Sequence, residues 1–195
     1  MNIGRPREFD SDQALQAAMQ VFWSKGYEAT SLADLITAMN ISKSSFYQTF
    51  ENKHQLFQNC INYYQDRFIS DLIDSLKKAK TGRTFIEDTF MSMAEKARPK
   101  SDRRGCLILN CVSEFAQKDP VISKIITKSI QQMTDVFLSA VKRAQQEGGI
   151  PANKKPLPLA RYLLSSMNGL TTMIKAGAGT TEIKEVTQVV LAALD

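Results

Sequence analysis

The twenty residues from Ser31 to Phe50 constrain the fold more tightly than any other stretch of this chain. Leu32, Leu35, Ile36 and Met39 recur at i, i+3, i+4 and i+7, the spacing of one buried helical face. Ser31 is placed to cap that helix, and Asp34 falls in its first turn, where the helix dipole favours a carboxylate. Asn40 tolerates the left-handed conformation that ends a helix, and Ser42 can cap a second one. A three-residue connection between two helices is that of a helix-turn-helix, whose second helix enters the DNA major groove.

In that second helix Phe46 and Phe50, four residues apart, would anchor the inner face. The outer faces are left with hydrogen-bonding groups suited to base edges and phosphates. Ser42, Lys43, Ser44, Ser45 and Gln48 are the candidates near bases, with Thr30, Tyr47, Thr49 and Lys53 nearer phosphate. Upstream, Gly4-Arg5-Pro6-Arg7 is a short basic arm, and Arg5 and Arg7 are candidates for phosphate or minor-groove contact.

The residues around this pair, Ala18, Phe22, Gly26, Tyr27, Thr30, Ser31, Leu35, Ile36, Ile41, Ser42, Tyr47, Phe50, Lys53 and Leu56, resemble the N-terminal DNA-binding domain of the TetR family of bacterial repressors. The resemblance spans about the first sixty residues. Two positions depart from it: Ser44 stands where many members have Gly, and Thr49 where His or an aromatic residue is common. Both lie on the reading helix and bear on the operator sequence. The resemblance implies a phosphate contact by Lys53, a small-molecule inducer pocket in the body, and, as in some TetR-like repressors, oxidant or electrophile sensing by a body cysteine.

Charge adds little to this case. The net charge is +5 with a pI near 9.1, yet residues 1–60 hold five basic and six acidic side chains, so the basic excess lies in the remainder. Placement matters more than balance, because Arg5, Arg7, Lys43 and Lys53 flank the reading helix. An apolar fraction of 43% suffices for a core. No run approaches the roughly 18 to 20 apolar residues of a membrane span and no apolar signal segment follows the start, so no membrane partner and a cytoplasmic location are expected.

Beyond the helix pair every pattern is helical, with no strand signal and no repeat. Asp10 can cap a first helix buried through Ala14, Leu15, Ala18, Val21 and Phe22, which Gly26 ends. A long pattern runs from Leu56 through Ile61, Phe68 and Leu72 to Gly82, capped at its start by Asn52 and without a Gly/Ser hinge. Thr84 with Glu87 reads as a capping box for the next helix, and Arg98-Pro99 breaks it. Cys106 to Ala116 suits a buried helix, Asp119-Pro120 opens one that ends at Gly148-Gly149, and Pro156 with Pro158 opens another. A final helix spans roughly 181–194. The expectation is an all-α fold of about nine helices: a DNA-binding domain at 1–55 with a three-helix helix-turn-helix core, and a ligand-binding and dimerisation domain at 56–195.

No nucleotide loop, zinc motif or nucleophile with an adjacent histidine is present, and with His54 as its one histidine the chain is not expected to be an enzyme. Neither a cofactor nor a metal is expected, since Cys60, Cys106 and Cys111 have no metal-ligand spacing. Soft side chains in the body, Phe85, Phe90, Met93, Phe115, Met133, Phe137, Tyr162 and Met167, are core residues or the walls of a small-molecule site. Cys106, beside Lys100, Arg103, Arg104 and Gly105 at a helix start, lies where cations and the dipole favour a thiolate, and is the candidate redox sensor. Leu159, Leu163, Ser166, Leu170 and Met173, with Val190 and Leu194, are the candidate dimer interface, because a twofold protein matches two half-sites about 34 Å apart. The combined expectation is a homodimeric repressor on double-stranded operator DNA, released by an inducer or by modification of Cys106. Its rivals are a helical protein-binding adaptor and a small-molecule carrier without DNA function.

Overall fold

A computed structural model describes residues 10–98 and 103–195. The described residues form nine helices and no strand: α1 (Ser11–Lys25), α2 (Leu32–Met39), α3 (Lys43–Phe50), α4 (Lys53–Lys78), α5 (Gly82–Lys96), α6 (Leu107–Phe115), α7 (Pro120–Gln146), α8 (Pro156–Lys175) and α9 (Thr180–Ala192). This is the all-α architecture the periodicity predicts. The described residues pack as two compact units, and the division falls between Gln65 and Asp66, inside α4.

In the first unit α1 packs on α2, and Ala14, Ala18, Phe22, Leu35, Met39, Phe46, Phe50, Leu56, Phe57 and Ile61 are buried. Asp10 caps α1 by accepting from the N–H groups of Asp12 and Gln13 at 3.0 and 3.2 Å. Gly26, at φ 80°, ends the helix in a conformation that L side chains resist.

In the second unit α7 lies against α5, α6 and α8, while α9 lies against α5 and α8. Its core runs from Ile69 of α4 through Phe90, Phe137 and Leu163 to Ile183. Two helix starts depart from the sequence reading. Thr81, not Thr84, caps α5, with its hydroxyl accepting the Thr84 N–H at 3.0 Å. Gly82, read as a stop, is the first residue of α5, because only a residue without Cβ lets α5 come this close to α7. A Cβ there would lie 2.4 Å from the Ala140 carbonyl oxygen and 2.6 Å from the Ala144 nitrogen.

Candidate nucleic-acid interface

The turn between α2 and α3 is closed by local chemistry. Ser31 and Asp34 form a reciprocal capping box, with Asp34 N–H donating to Ser31 Oγ at 3.1 Å and Ser31 N–H to Asp34 Oδ2 at 2.9 Å. Lys25 Nζ donates to the other Asp34 oxygen at 2.7 Å and, with the Ser31 bonds, lowers that carboxyl to a pKa of about 2. Asn40 sits at φ 53°, ψ 44°; its N–H donates to Thr37 O at 3.2 Å and the Ile41 N–H to Ile36 O at 3.3 Å, the paired bonds of a Schellman ending. Ser42 Oγ then accepts the Ser45 N–H at 3.1 Å and starts α3.

Helix α3 is divided cleanly. Phe46 and Phe50 are buried, with ring centroids 5.9 Å apart, and their burial fixes the rotation of the helix. Lys43, Ser44, Tyr47, Gln48 and Thr49 are exposed and Ser45 is half-buried. The Ser44 and Ser45 hydroxyls each lie 2.9 Å from Ser42 Oγ, so Ser42 is committed to the cap while its neighbours keep free valences at the surface. After α3, Glu51 takes φ 55°, ψ −57°, a tight reversal uncommon for a residue with a Cβ, and Asn52 Oδ1 caps α4 by accepting the Gln55 N–H at 2.8 Å.

Not every candidate stands at the surface. Thr30 is buried, and its hydroxyl donates to the Gly26 carbonyl at 2.6 Å, so the side chain builds the turn after α1 rather than facing phosphate. Lys53, half-buried, holds its ammonium 4.3 Å from the centroid of the Tyr27 ring, a contact that the spacing of these residues does not reveal. Arg5 and Arg7 lie outside the described residues.

The body residues separate in the same way. Phe85, Phe90, Met93, Phe115, Met133, Phe137 and Met167 are buried, with Phe137 6.2 Å from both Phe85 and Phe90. Tyr162 is 39% exposed and stands apart from them. The dimer candidates Leu159, Leu163, Leu170, Val190 and Leu194 are buried within one chain's core, and Met173 packs partly against it. Ser166 is half-buried. Their apolar stripe satisfies the chain's own interior first, which leaves Tyr162, Ser165, Gly169 and Thr172 facing outward on α8, and Glu185, Val189 and Ala192 on α9.

Cys106 precedes α6 as a half-buried cap residue without a side-chain cap bond. The neighbouring Arg103 donates to Ala97 O at 2.5 Å and Ala178 O at 3.2 Å, so its guanidinium ties the loop to the residues that end α5 and follow α8. Burial, and then Glu114 and Cys106, push the Cys111 thiol up to about 12, which leaves it protonated and unreactive. Among the described residues no group of His, Cys, Asp and Glu could hold a metal, and no helix is long and apolar enough to cross a membrane.

Residues 14–60 match the family model of bacterial regulatory proteins, tetR family, and residues 83–190 match the tetracyclin repressor-like C-terminal domain. The chain belongs to the TetR family. It is similar along 99% of its length, at 29% identity, to the whole of the uncharacterized HTH-type transcriptional regulator YezE of Bacillus subtilis (strain 168). It is also 29% identical to the HTH-type transcriptional repressor ComR of Escherichia coli (strain K12), with 94% of this chain and 88% of ComR covered. Among solved structures, a cysteine-substituted TetR family regulator, CifR, bound to 26 base pairs of double-strand operator DNA superposes with a TM-score of 0.85 at 26% identity, covering 98% of this chain and all of CifR. TetR-family members are DNA-binding transcriptional regulators and not enzymes, and this chain is one of them.

Proposed function

We propose that this chain is a homodimeric repressor in the cytoplasm that binds a twofold operator through residues 1 to about 55 and is released by a signal received in the remainder. The observation that carries the reading is the two-faced α3, with Phe46 and Phe50 buried and Lys43, Ser44, Tyr47, Gln48 and Thr49 exposed. Lys43, Ser44, Ser45 and Gln48 face base edges, and Tyr47, Thr49 and Lys53 contact phosphate. Arg5 and Arg7 add backbone or minor-groove contacts.

Pairing uses the outward faces of α8 and α9. Gly169 supports this, since a Cβ there would meet nothing within 4 Å in its own chain, yet a mid-helix glycine costs about 1 kcal/mol relative to alanine. A closely approaching second copy gives that glycine a purpose. Inducer binding would draw on Phe85, Phe90, Met93, Met133, Phe137 and Met167, whose aromatic rings and thioethers repack readily around an apolar guest. Release is a two-state equilibrium, and moving it from 1:99 to 99:1 requires about 5.5 kcal/mol of preference for the DNA-incompetent state. A second signal is favoured by the position of Cys106, half-buried at the start of α6.

Titrating the dimer against its own upstream DNA by anisotropy at several salt concentrations tests the core of this reading. Salt-sensitive, sequence-selective binding is expected, with Lys53→Ala weakening all sequences alike and lowering the salt slope by about one per half-site. Absence of selective binding would remove the upstream twofold operator from this reading. For the second signal, Cys106→Ser should abolish release by oxidant, and unchanged release removes Cys106 from the account.

A further inference from the structure

We propose that Tyr27 is a positioning residue for the DNA contact of Lys53, holding the ammonium over its ring face so that it meets phosphate in a preset place. The proposal rests on the phosphate reading of Lys53 given above. Lys53 opens α4 directly after the capping Asn52, where a cation opposes the helix dipole. Among the described residues no carboxylate pairs with it; its ammonium instead lies 4.3 Å from the Tyr27 centroid.

The ring is a fixed platform and not a passing neighbour. Phe22 stacks on it at 6.0 Å with an interplanar angle of 17°, and Phe57 tilts against it at 4.9 Å. Both phenylalanines are buried, and the His54 ring meets Tyr27 edge-on at 6.3 Å. A free lysine carries about 2 kcal/mol of rotamer entropy that an exposed phosphate contact must overcome. An aromatic face within 6 Å attracts the ammonium through the ring quadrupole and so reduces that loss before DNA arrives. Lys53 is half-buried and stands where α3 gives way to α4.

The test reads operator affinity in two backgrounds. With Lys53 present, Tyr27→Leu weakens binding by about two- to fivefold per half-site, while Tyr27→Phe retains the ring and binds as the parent does. In the Lys53→Ala background the same Tyr27 substitutions have no further effect. Because Tyr27→Leu removes buried contacts, phenylalanines of increasing ring fluorination at position 27 supply a shape-conserving series, and affinity falls stepwise as the ring face loses its negative potential. Equal losses in both backgrounds, or a flat fluorination series, overturn the positioning role. If Lys53→Ala alone leaves affinity and salt slope at the parent values, the phosphate reading itself fails, a result visible before any Tyr27 variant is made.

Discussion

Two buried positions show how much one atom decides at the scale of the residue. Gly82 meets backbone on two successive turns of one face of α7, and the Ala140 oxygen and Ala144 nitrogen cannot swing away as a flexible side chain would. Gly82→Ala should therefore lower stability by about 1–3 kcal/mol or more, seen as a lower urea midpoint with an unchanged slope. A midpoint at the parent value would mean that α5 can shift at little cost. Thr187 presents the converse case. It is fully buried on α9, and its hydroxyl has no hydrogen-bond partner among the described residues. Replacing that hydroxyl by a methyl of nearly equal volume removes a desolvated polar group, so Thr187→Val should stabilise the body by about 1 kcal/mol and raise Tm. A fall in Tm would show that the hydroxyl is bonded in solution. Neither effect is legible in sequence, where Gly82 reads as a stop and Thr187 as one more β-branched residue.

Helix ends set the behaviour at the next scale. In the last turn of α7, Arg143 donates to the carbonyls of Leu76, Ala79 and Lys80 at 2.8 to 3.1 Å and to Glu147 at 2.8 Å. Glu147 in turn accepts the Gly82 N–H at 2.7 Å. One ion pair thus satisfies orphan carbonyls at the end of α4 and an orphan donor at the start of α5. The Gly82 N–H first, and Arg143 second, hold the Glu147 carboxyl below its ordinary value of 4.5. Because the folded-state value is depressed, the stabilisation is complete above pH 4.5 and is lost as pH falls through the lower value. Glu147→Gln should flatten the acid limb of the body's stability profile, measured by urea unfolding between pH 7 and pH 3. An acid limb as steep as the parent's would assign acid sensitivity elsewhere. Asp34 adds a parallel stabilisation of the first unit, complete above its ordinary 3.8 and lost as pH falls through about 2. The Asn40 ending and the Ser31, Ser42 and Asp10 caps were readable because each acts on N–H groups within a few residues. The Thr81 cap is not legible in the sequence, because Thr84-Glu87 offers an equally good local box. Glu87 instead pairs with Arg83 at 2.8 Å.

For the whole molecule the proposed pairing rests on the outward faces of α8 and α9. Among the described residues Val189 is the most exposed large hydrophobic side chain, at 71%, and Gly169 has open space where its side chain would stand. Gly169→Leu should leave helix content in far-UV circular dichroism unchanged and shift sedimentation equilibrium toward monomer, with loss of binding to paired half-sites. A variant that remains dimeric would place the contact on another face.

The helix-turn-helix, the all-α class and the inward residues of α3 follow from the sequence by itself, since capping, left-handed endings and 3.6-residue periodicity are interactions among near neighbours. Periodicity reports that a face is apolar, not what covers it. For that reason Leu163 and Leu194 could be assigned to a partner until packing assigned them to their own core. Only the tertiary structure brought Lys53 over Tyr27, turned the Thr30 hydroxyl onto Gly26 and seated Gly82 against α7. Each depends on where a distant or differently turned segment comes to rest, a matter settled by the simultaneous filling of space and pairing of buried polar groups.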